Sequence, residues 1–326
     1  MAIVSTLLQR SGASEAAYST DLFNRIARYL TPGHPGLAVK AAAPSTASSA
    51  RVSGGGSAHL VKISDGRKLL LRCRGTGGPT VVLISGFRGG DDDWTNVATG
   101  PEATPPPSPR AVFPQIAKFA RVCAYDRPGT ESFGGAISPS TPVRQPTTAA
   151  DGVADLHALL AAGGEHGPYL LVAHSWGGMI GRLYASTYPE EVAGLVLLDP
   201  GSVFLKKTLK PAQWGRFARA ARKLGTPKTL EAADYESSVK EIDSAPAPPK
   251  VPAVVLTSDH PFPFGAGDGT WHAWLGAQNR LAAELGAEQV TDTDSGHYIA
   301  GERPGLVVAA VRRVRSRYFA GMSSRP

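Results

Sequence analysis

The chain has 326 residues, of which 42% are apolar and 19% charged, and its formal net charge is +7. That composition fills one large core and excludes a solvated, disordered chain. The basic excess suits anionic substrates, lipid surfaces or plain solubility; no nucleic-acid-binding motif accompanies it, and no apolar run reaches the ~18–20 residues that span a bilayer.

Residues 1–56 read as an extension. Residues 14–30 have helical spacing, with Tyr18, Leu22, Ile26 and Tyr29 or Leu30 on one stripe, and the Ala/Ser/Pro/Gly-rich stretch up to Gly56 reads as a linker. The first eight residues lack a secretory apolar segment, which predicts a cytoplasmic location; peripheral contact with a membrane stays open, as does the oligomeric state. From residue 58 a regular rhythm begins. Residues 58–64 and 68–74 read as two strands joined by a turn at Asp65-Gly66. Short apolar runs follow at 80–85, 121–125, 169–173, 192–198, 253–257 and 287–290. Helical patterns at 112–119, 148–162, 176–188, 271–285 and 304–318 separate most of them. Apolar strands alternating with helices predict an α/β fold, a mostly parallel eight-stranded sheet covered on both faces, with the opening hairpin as an antiparallel edge.

Two stretches break the rhythm. Residues 99–110 are Pro-rich and read as a loop insertion. Residues 203–250 carry helical signals of their own and read as a small cap over the carboxyl ends of the strands, leaving 57–202 and 251–326 as the core. Cys73 and Cys123 lie in strand-like runs and read as buried free thiols; a bridge requires their strands to pair.

The most specific signal is Leu170-Leu-Val-Ala-His-Ser-Trp-Gly-Gly178, an apolar strand running into Ser175 with a helix leaving it. This is the G-x-S-x-G nucleophile elbow with Ala173 for the first glycine. A strand that reverses into a helix within two residues needs tiny side chains two positions either side of the serine, and Ala173 and Gly177 supply them. The hydroxyl then stands at a helix N-terminus, where partial positive charge favours an oxyanion.

On this elbow, and on the Tyr125-Asp-Arg-Pro-Gly129 turn, residues 58–320 resemble the α/β-hydrolase superfamily, in particular its bacterial esterase/lipase-type serine hydrolases. The Gly-x-Ser that usually follows that turn is absent, and Thr130-Glu-Ser-Phe133 stands instead. The resemblance implies a Ser-His-Asp triad acting through an acyl-enzyme. It implies an oxyanion hole at Ser85-Gly86-Phe87, where relatives carry His-Gly-x, with the backbone N–H groups of Phe87 and Trp176 as donors and Gly86 allowing the turn. It implies that His297, in the loop after the last strand, is the general base, an imidazole being the side chain that takes and returns a proton near neutrality. His174 beside the nucleophile reads as an orienting or lining residue, and His260 as a weaker rival for the base.

The acid has two candidates. Asp199 ends the sixth strand and Asp259 follows the seventh, two residues earlier than the superfamily's usual position; Asp199 is the first choice and Asp259 the alternative. Asp292 and Asp294 read as residues that cap or solvate the histidine loop.

Between residues 201 and 230 stand eight basic residues and no acidic one: Lys206, Lys207, Lys210, Arg216, Arg219, Arg222, Lys223 and Lys228. They read as a solvated helix face balanced by the acids that follow, the alternative being a basic lid for anionic or lipid-surface substrates. Trp214 and Phe217, on the apolar stripe of the same helix, read as the roof of a pocket that Trp176 and Phe87 line from below. The expected substrate is a small-molecule ester, lactone, thioester or amide, with no metal and no organic cofactor. A haloperoxidase, perhydrolase or lyase reaction on the same triad, and a non-catalytic ligand-binding homologue, are the alternatives.

Overall fold

The computed structural model describes residues 57–97, 105–225, 227–262 and 269–323. The helix and linker expected within 1–56 lie outside these residues, as does part of the 99–110 loop. Among the described residues, eight strands form one sheet in the order β1-β2-β4-β3-β5-β6-β7-β8. They are β1 (His59–Lys62), β2 (Lys68–Arg74), β3 (Thr80–Ile84), β4 (Val122–Asp126), β5 (Tyr169–His174), β6 (Val192–Leu198), β7 (Ala253–Leu256) and β8 (Glu288–Val290). The β1–β2 and β2–β4 pairs are antiparallel and every other pair is parallel.

Each central strand is buried on both sides, which is why it reads as an unbroken apolar run. Val82, Ile84, Leu171, Ala173, Leu195, Leu197 and Val255 point to one face, and Val81, Leu83, Leu170, Val172, Val196, Leu198 and Val254 to the other. The first face is covered by α2 (Ala149–Ala162), α3 (Trp176–Thr187) and α7 (Trp271–Leu285), the second by α1 (Val112–Ile116) and α9 (Pro304–Ser323), with the short α8 (Ile299–Glu302) before α9. The helix α2 begins in a reciprocal cap: the Thr148 hydroxyl accepts the Asp151 N–H, and the Asp151 carboxylate accepts the Thr148 N–H at 2.8 Å. No helix among the described residues is long and apolar enough to cross a membrane.

The antiparallel register sets Cys73 directly opposite Cys123, with Cα atoms 4.1 Å apart, and the two sulfurs are joined in a disulfide. The expectation of two free thiols is corrected by this pairing. The physical reason is register, which places both side chains on one face of adjacent strands and which neither local sequence contains.

Between β6 and β7 the chain forms α4 (Val203–Thr208), α5 (Pro211–Ala221) and α6 (Tyr235–Ser244). The helix α5 buries Trp214 and Ala221, and α6 buries Tyr235, Val239 and Ile242. Three of the basic residues pair with acids of the same stretch: Lys206 with Glu236 at 2.6 Å, Lys207 with Asp243 at 3.6 Å and Arg222 with Asp234 at 3.4 Å. The Lys206 ammonium and the Trp214 indole N–H, both donating to Glu236, hold its carboxyl below the usual range.

Candidate active site

The strand β5 runs into Ser175, whose backbone takes φ 49° and ψ −119°, and α3 leaves at Trp176. A positive φ at a non-glycine residue is strained, and the surroundings enforce it. Ser175 donates its N–H to the Leu198 carbonyl at 3.1 Å, and its own carbonyl accepts the N–H groups of Gly178 and Gly201, both at 2.8 Å. A Cβ on Gly177 would lie 2.5 Å from the Ile84 carbonyl oxygen and 2.6 Å from that of Ser85, so only hydrogen fits there. Ala173 keeps its methyl because the facing helix residue is Gly181, whose own Cβ would come within 3.2 Å of it.

His297 lies on the loop between β8 and α8, and its Nε2 stands 2.9 Å from Ser175 Oγ. Its Nδ1–H donates to Asp199 Oδ2 at 2.6 Å. The carboxylate therefore selects the tautomer in which Nε2 accepts the serine proton. Asp199 is fully buried at the end of β6, and its other oxygen accepts the Ser258 N–H at 3.1 Å and the Trp274 indole N–H at 2.9 Å. Asp259 stands elsewhere: it accepts the N–H groups of Asp294 and Ser295, each at 2.9 Å, and so shapes the loop that carries the histidine. Glu302 holds the same loop by accepting the Gly296 N–H at 2.7 Å, and Asp294 pairs with Arg303 and, at 3.6 Å, with His260.

His174 takes an orienting position. It is buried, and its Nε2–H donates to the His297 carbonyl at 2.8 Å. Burial, then the neighbouring His297, pushes its pKa well below the ordinary histidine value, so it serves as a neutral hydrogen-bond donor. The His297 ring is wedged between aromatic groups: Phe262 stacks on it at 4.2 Å, and Trp274 and Tyr298 meet it edge-on at 5.6 and 5.2 Å. Phe262, Trp274 and Ser258 were not singled out from the sequence. Trp274 is visible there only as one apolar position on a helical stripe, and the other two lie in irregular chain.

Beyond β3, the Ser85 hydroxyl donates to the Gly90 carbonyl and accepts the Trp94 indole N–H, both at 2.7 Å. A serine in place of the relatives' histidine thus anchors the turn from behind. Gly86 comes close to Ser175, since a Cβ there would lie 3.2 Å from the Cβ of Ser175 and 2.8 Å from His174 Nδ1. Across Trp176 stands Tyr235, with ring centroids 4.6 Å apart, then Phe217 at 4.7 Å from Tyr235. Trp214 stands 5.7 Å from Phe217 and turns its indole N–H to Glu236 at 2.6 Å. Tyr235 was the residue of this wall that the sequence did not flag. The cluster of metal-ligand types found among the described residues, Cys73, Cys123 and Glu165, lies where β2 pairs with β4, its sulfurs tied in the disulfide and its carboxylate paired with Arg121.

Residues 79–232 match the family model described as alpha/beta hydrolase fold. An uncharacterized protein of Schizosaccharomyces pombe is 35% identical over 99 residues, which is 30% of this chain and 17% of that protein. The cis-3-alkyl-4-alkyloxetan-2-one decarboxylase of Shewanella oneidensis is 46% identical over 54 residues, 17% of each chain. The chain therefore spans less than a fifth of the length of either relative. Among solved structures, a thermophilic esterase from Thermogutta terrifontis superposes with a TM-score of 0.51 at 18% identity, covering 80% of this chain and 99% of that one. A matched family model, joined to an eight-stranded and mostly parallel sheet that superposes on a solved esterase, gives this chain the α/β-hydrolase fold.

Proposed function

We propose that the chain is a serine hydrolase that cleaves a carboxylic ester, lactone, thioester or amide through an acyl-enzyme. The observation that carries this reading is the 2.9 Å approach of Ser175 Oγ to His297 Nε2, with the other ring nitrogen 2.6 Å from a buried carboxylate. Ser175 attacks the carbonyl carbon as its proton passes to His297. The N–H groups of Phe87 and Trp176 receive the developing oxyanion, each worth about 3 kcal/mol. The imidazolium protonates the leaving group, and the same nitrogen then deprotonates the water that releases the acid. Asp199 holds the ring in its working tautomer.

Residues 203–250 act as a cap, and the wall of Phe217, Tyr235 and Trp176 suits an apolar acyl or aryl group. The Thermogutta esterase supports an ester substrate. The Shewanella relative is a decarboxylase of an oxetan-2-one, a four-membered lactone, which supports keeping a lactone ring among the candidate substrates. The test is a fluorophosphonate probe with a panel of aryl and alkyl esters and lactones of graded acyl length. Wild type is expected to label and turn over, and Ser175→Ala to do neither. A folded wild type inert toward probe and panel alike would favour the ligand-binding homologue.

A further inference from the structure

Behind the Ser85–Phe87 turn lies a buried ion pair for which the triad has no use. Arg127, from the Tyr125-Asp-Arg-Pro-Gly129 turn after β4, meets Glu231 of the insertion with Nε to Oε1 at 2.6 Å and Nη2 to Oε2 at 3.1 Å. Their side chains are 4% and 1% exposed, so both charges are removed from water and their position requires strong compensation. Arg127 completes its valence on the turn itself: Nη1–H donates to the Ser85 carbonyl at 2.9 Å and Nη2–H to the Gly86 carbonyl at 2.6 Å. Glu231 grips the next peptide, accepting the Arg88 N–H on Oε2 at 2.5 Å, and its own carbonyl accepts Arg88 Nε–H at 2.9 Å.

Peptide geometry turns this into an aiming device. In a trans peptide the C=O and N–H point in opposite directions. The Gly86 carbonyl and the Phe87 N–H belong to one peptide, so drawing that carbonyl onto Arg127 directs the Phe87 N–H the other way, off the Arg127 side. The adjoining Gly86 Cα lies against Ser175, as the 3.2 Å from its would-be Cβ shows. We propose that Arg127 and Glu231 are positioning residues that hold the Phe87 amide on the oxyanion, and that the 203–250 insertion thereby sets transition-state stabilisation. The proposal rests on the serine-hydrolase reading. The contact between insertion and turn is built in: Glu231 donates its N–H to the Gly129 carbonyl at 2.8 Å. Gly129 has φ +81°, and a Cβ on it would lie 2.2 Å from the Thr229 carbonyl oxygen, so the glycine of that turn is what lets the insertion approach.

Three variants test it: Arg127→Lys, Arg127→Met, and the charge-balanced double Arg127→Met with Glu231→Gln. Each is measured for melting temperature, for kcat and KM on the best ester of the panel, and for its rate of phosphonylation by the fluorophosphonate probe, whose P–O also enters the oxyanion site. Arg127→Met alone strands a buried carboxylate and melts early. The double variant regains most of that loss, because no charge is left unpaired and glutamine still accepts the Arg88 N–H. If the pair aims the amide, kcat and phosphonylation in the double variant stay about 10- to 100-fold below wild type, less than the ~10²–10³-fold cost of losing an oxyanion donor outright, while KM moves less than about threefold. Should the double variant not fold, Arg127→Lys decides: it keeps a cation opposite Glu231 but cannot span two carbonyls and two carboxylate oxygens, so kcat should fall about tenfold with KM retained. Recovery of wild-type kcat together with the melting temperature, or a wild-type kcat in Arg127→Lys, overturns the proposal and leaves the hydrolase reading standing. A wild type that neither labels nor turns over ends both.

Discussion

Asn at position 199 is the substitution whose consequence the geometry defines most closely. Asp199 Oδ1 accepts two hydrogen bonds, from Ser258 N–H and the Trp274 indole N–H, and Oδ2 accepts one from His297 Nδ1–H. An asparagine carries one acceptor oxygen and an NH2 that only donates. Its carbonyl must stay with Ser258 and Trp274, because both of those are donors, and this turns the NH2 toward His297. The imidazole responds by placing its proton on Nε2, so that Nδ1 can accept. Nε2 then faces Ser175 Oγ, 2.9 Å away, without a lone pair for the serine proton. The geometry is preserved and the base is lost. The corresponding change in a serine protease costs about 10⁴ in kcat, which is roughly 5 kcal/mol of transition-state stabilisation. We expect a loss of that size in Asp199→Asn, measured as kcat on an aryl ester, with the melting temperature lowered by no more than the cost of one unpaired amide N–H. Asp259→Asn is the control. It touches the loop through Asp294 and Ser295 and should cost less than about tenfold. A kcat for Asp199→Asn within tenfold of wild type, or a heavier loss from Asp259→Asn, would refute the assignment of the acid.

Three further outcomes follow from the packing. Gly177→Ala should abolish turnover and lower stability by about 1–3 kcal/mol, since its methyl meets two backbone oxygens that cannot retreat; a folded, active variant on thermal melting and ester assay would count against the elbow geometry. Burial, and then the charge of Asp91, pushes the Asp126 carboxyl up to about 6. The folded state thus holds a proton that the unfolded chain releases earlier, so this group's contribution declines as pH rises from about 4 through 6, by at most about 3 kcal/mol. Asp126→Asn, whose Oδ1 still accepts the Asp91 N–H, should therefore raise the melting temperature at pH 8 and leave it nearly unchanged at pH 4; equal shifts at both would sink the reasoning. Replacing both Cys73 and Cys123 by serine opens a loop with a sequence separation of 50 and should lower stability by up to about 4 kcal/mol on the chain-entropy model, read as the urea midpoint with and without reductant.

What could be read in advance divides along the range of the interactions involved. The sheet was legible because each central strand, buried on both sides, must be a continuous apolar run such as Val192–Leu198. The elbow was legible because its requirements are met within nine residues of chain. Other features depend on which distant segments meet. Asp199 follows β6 directly and Asp259 stands three residues beyond β7, and local sequence ranks Asp199 first without excluding Asp259. What separates them is the β6–β7 register and the arrival of Trp274, which commit one carboxylate to the ring and leave the other to the loop. Cys73 and Cys123 are likewise ordinary strand residues until the β2–β4 register sets them face to face. The Arg127–Glu231 pair joins residues 104 positions apart, and in sequence each is one charge among many. It is the burial of that pair, against the turn that carries the proposed oxyanion amide, that gives the Arg-Pro-Gly of the turn after β4 a physical reason to be there: the arginine to hold two carbonyls, the glycine to let the insertion reach it.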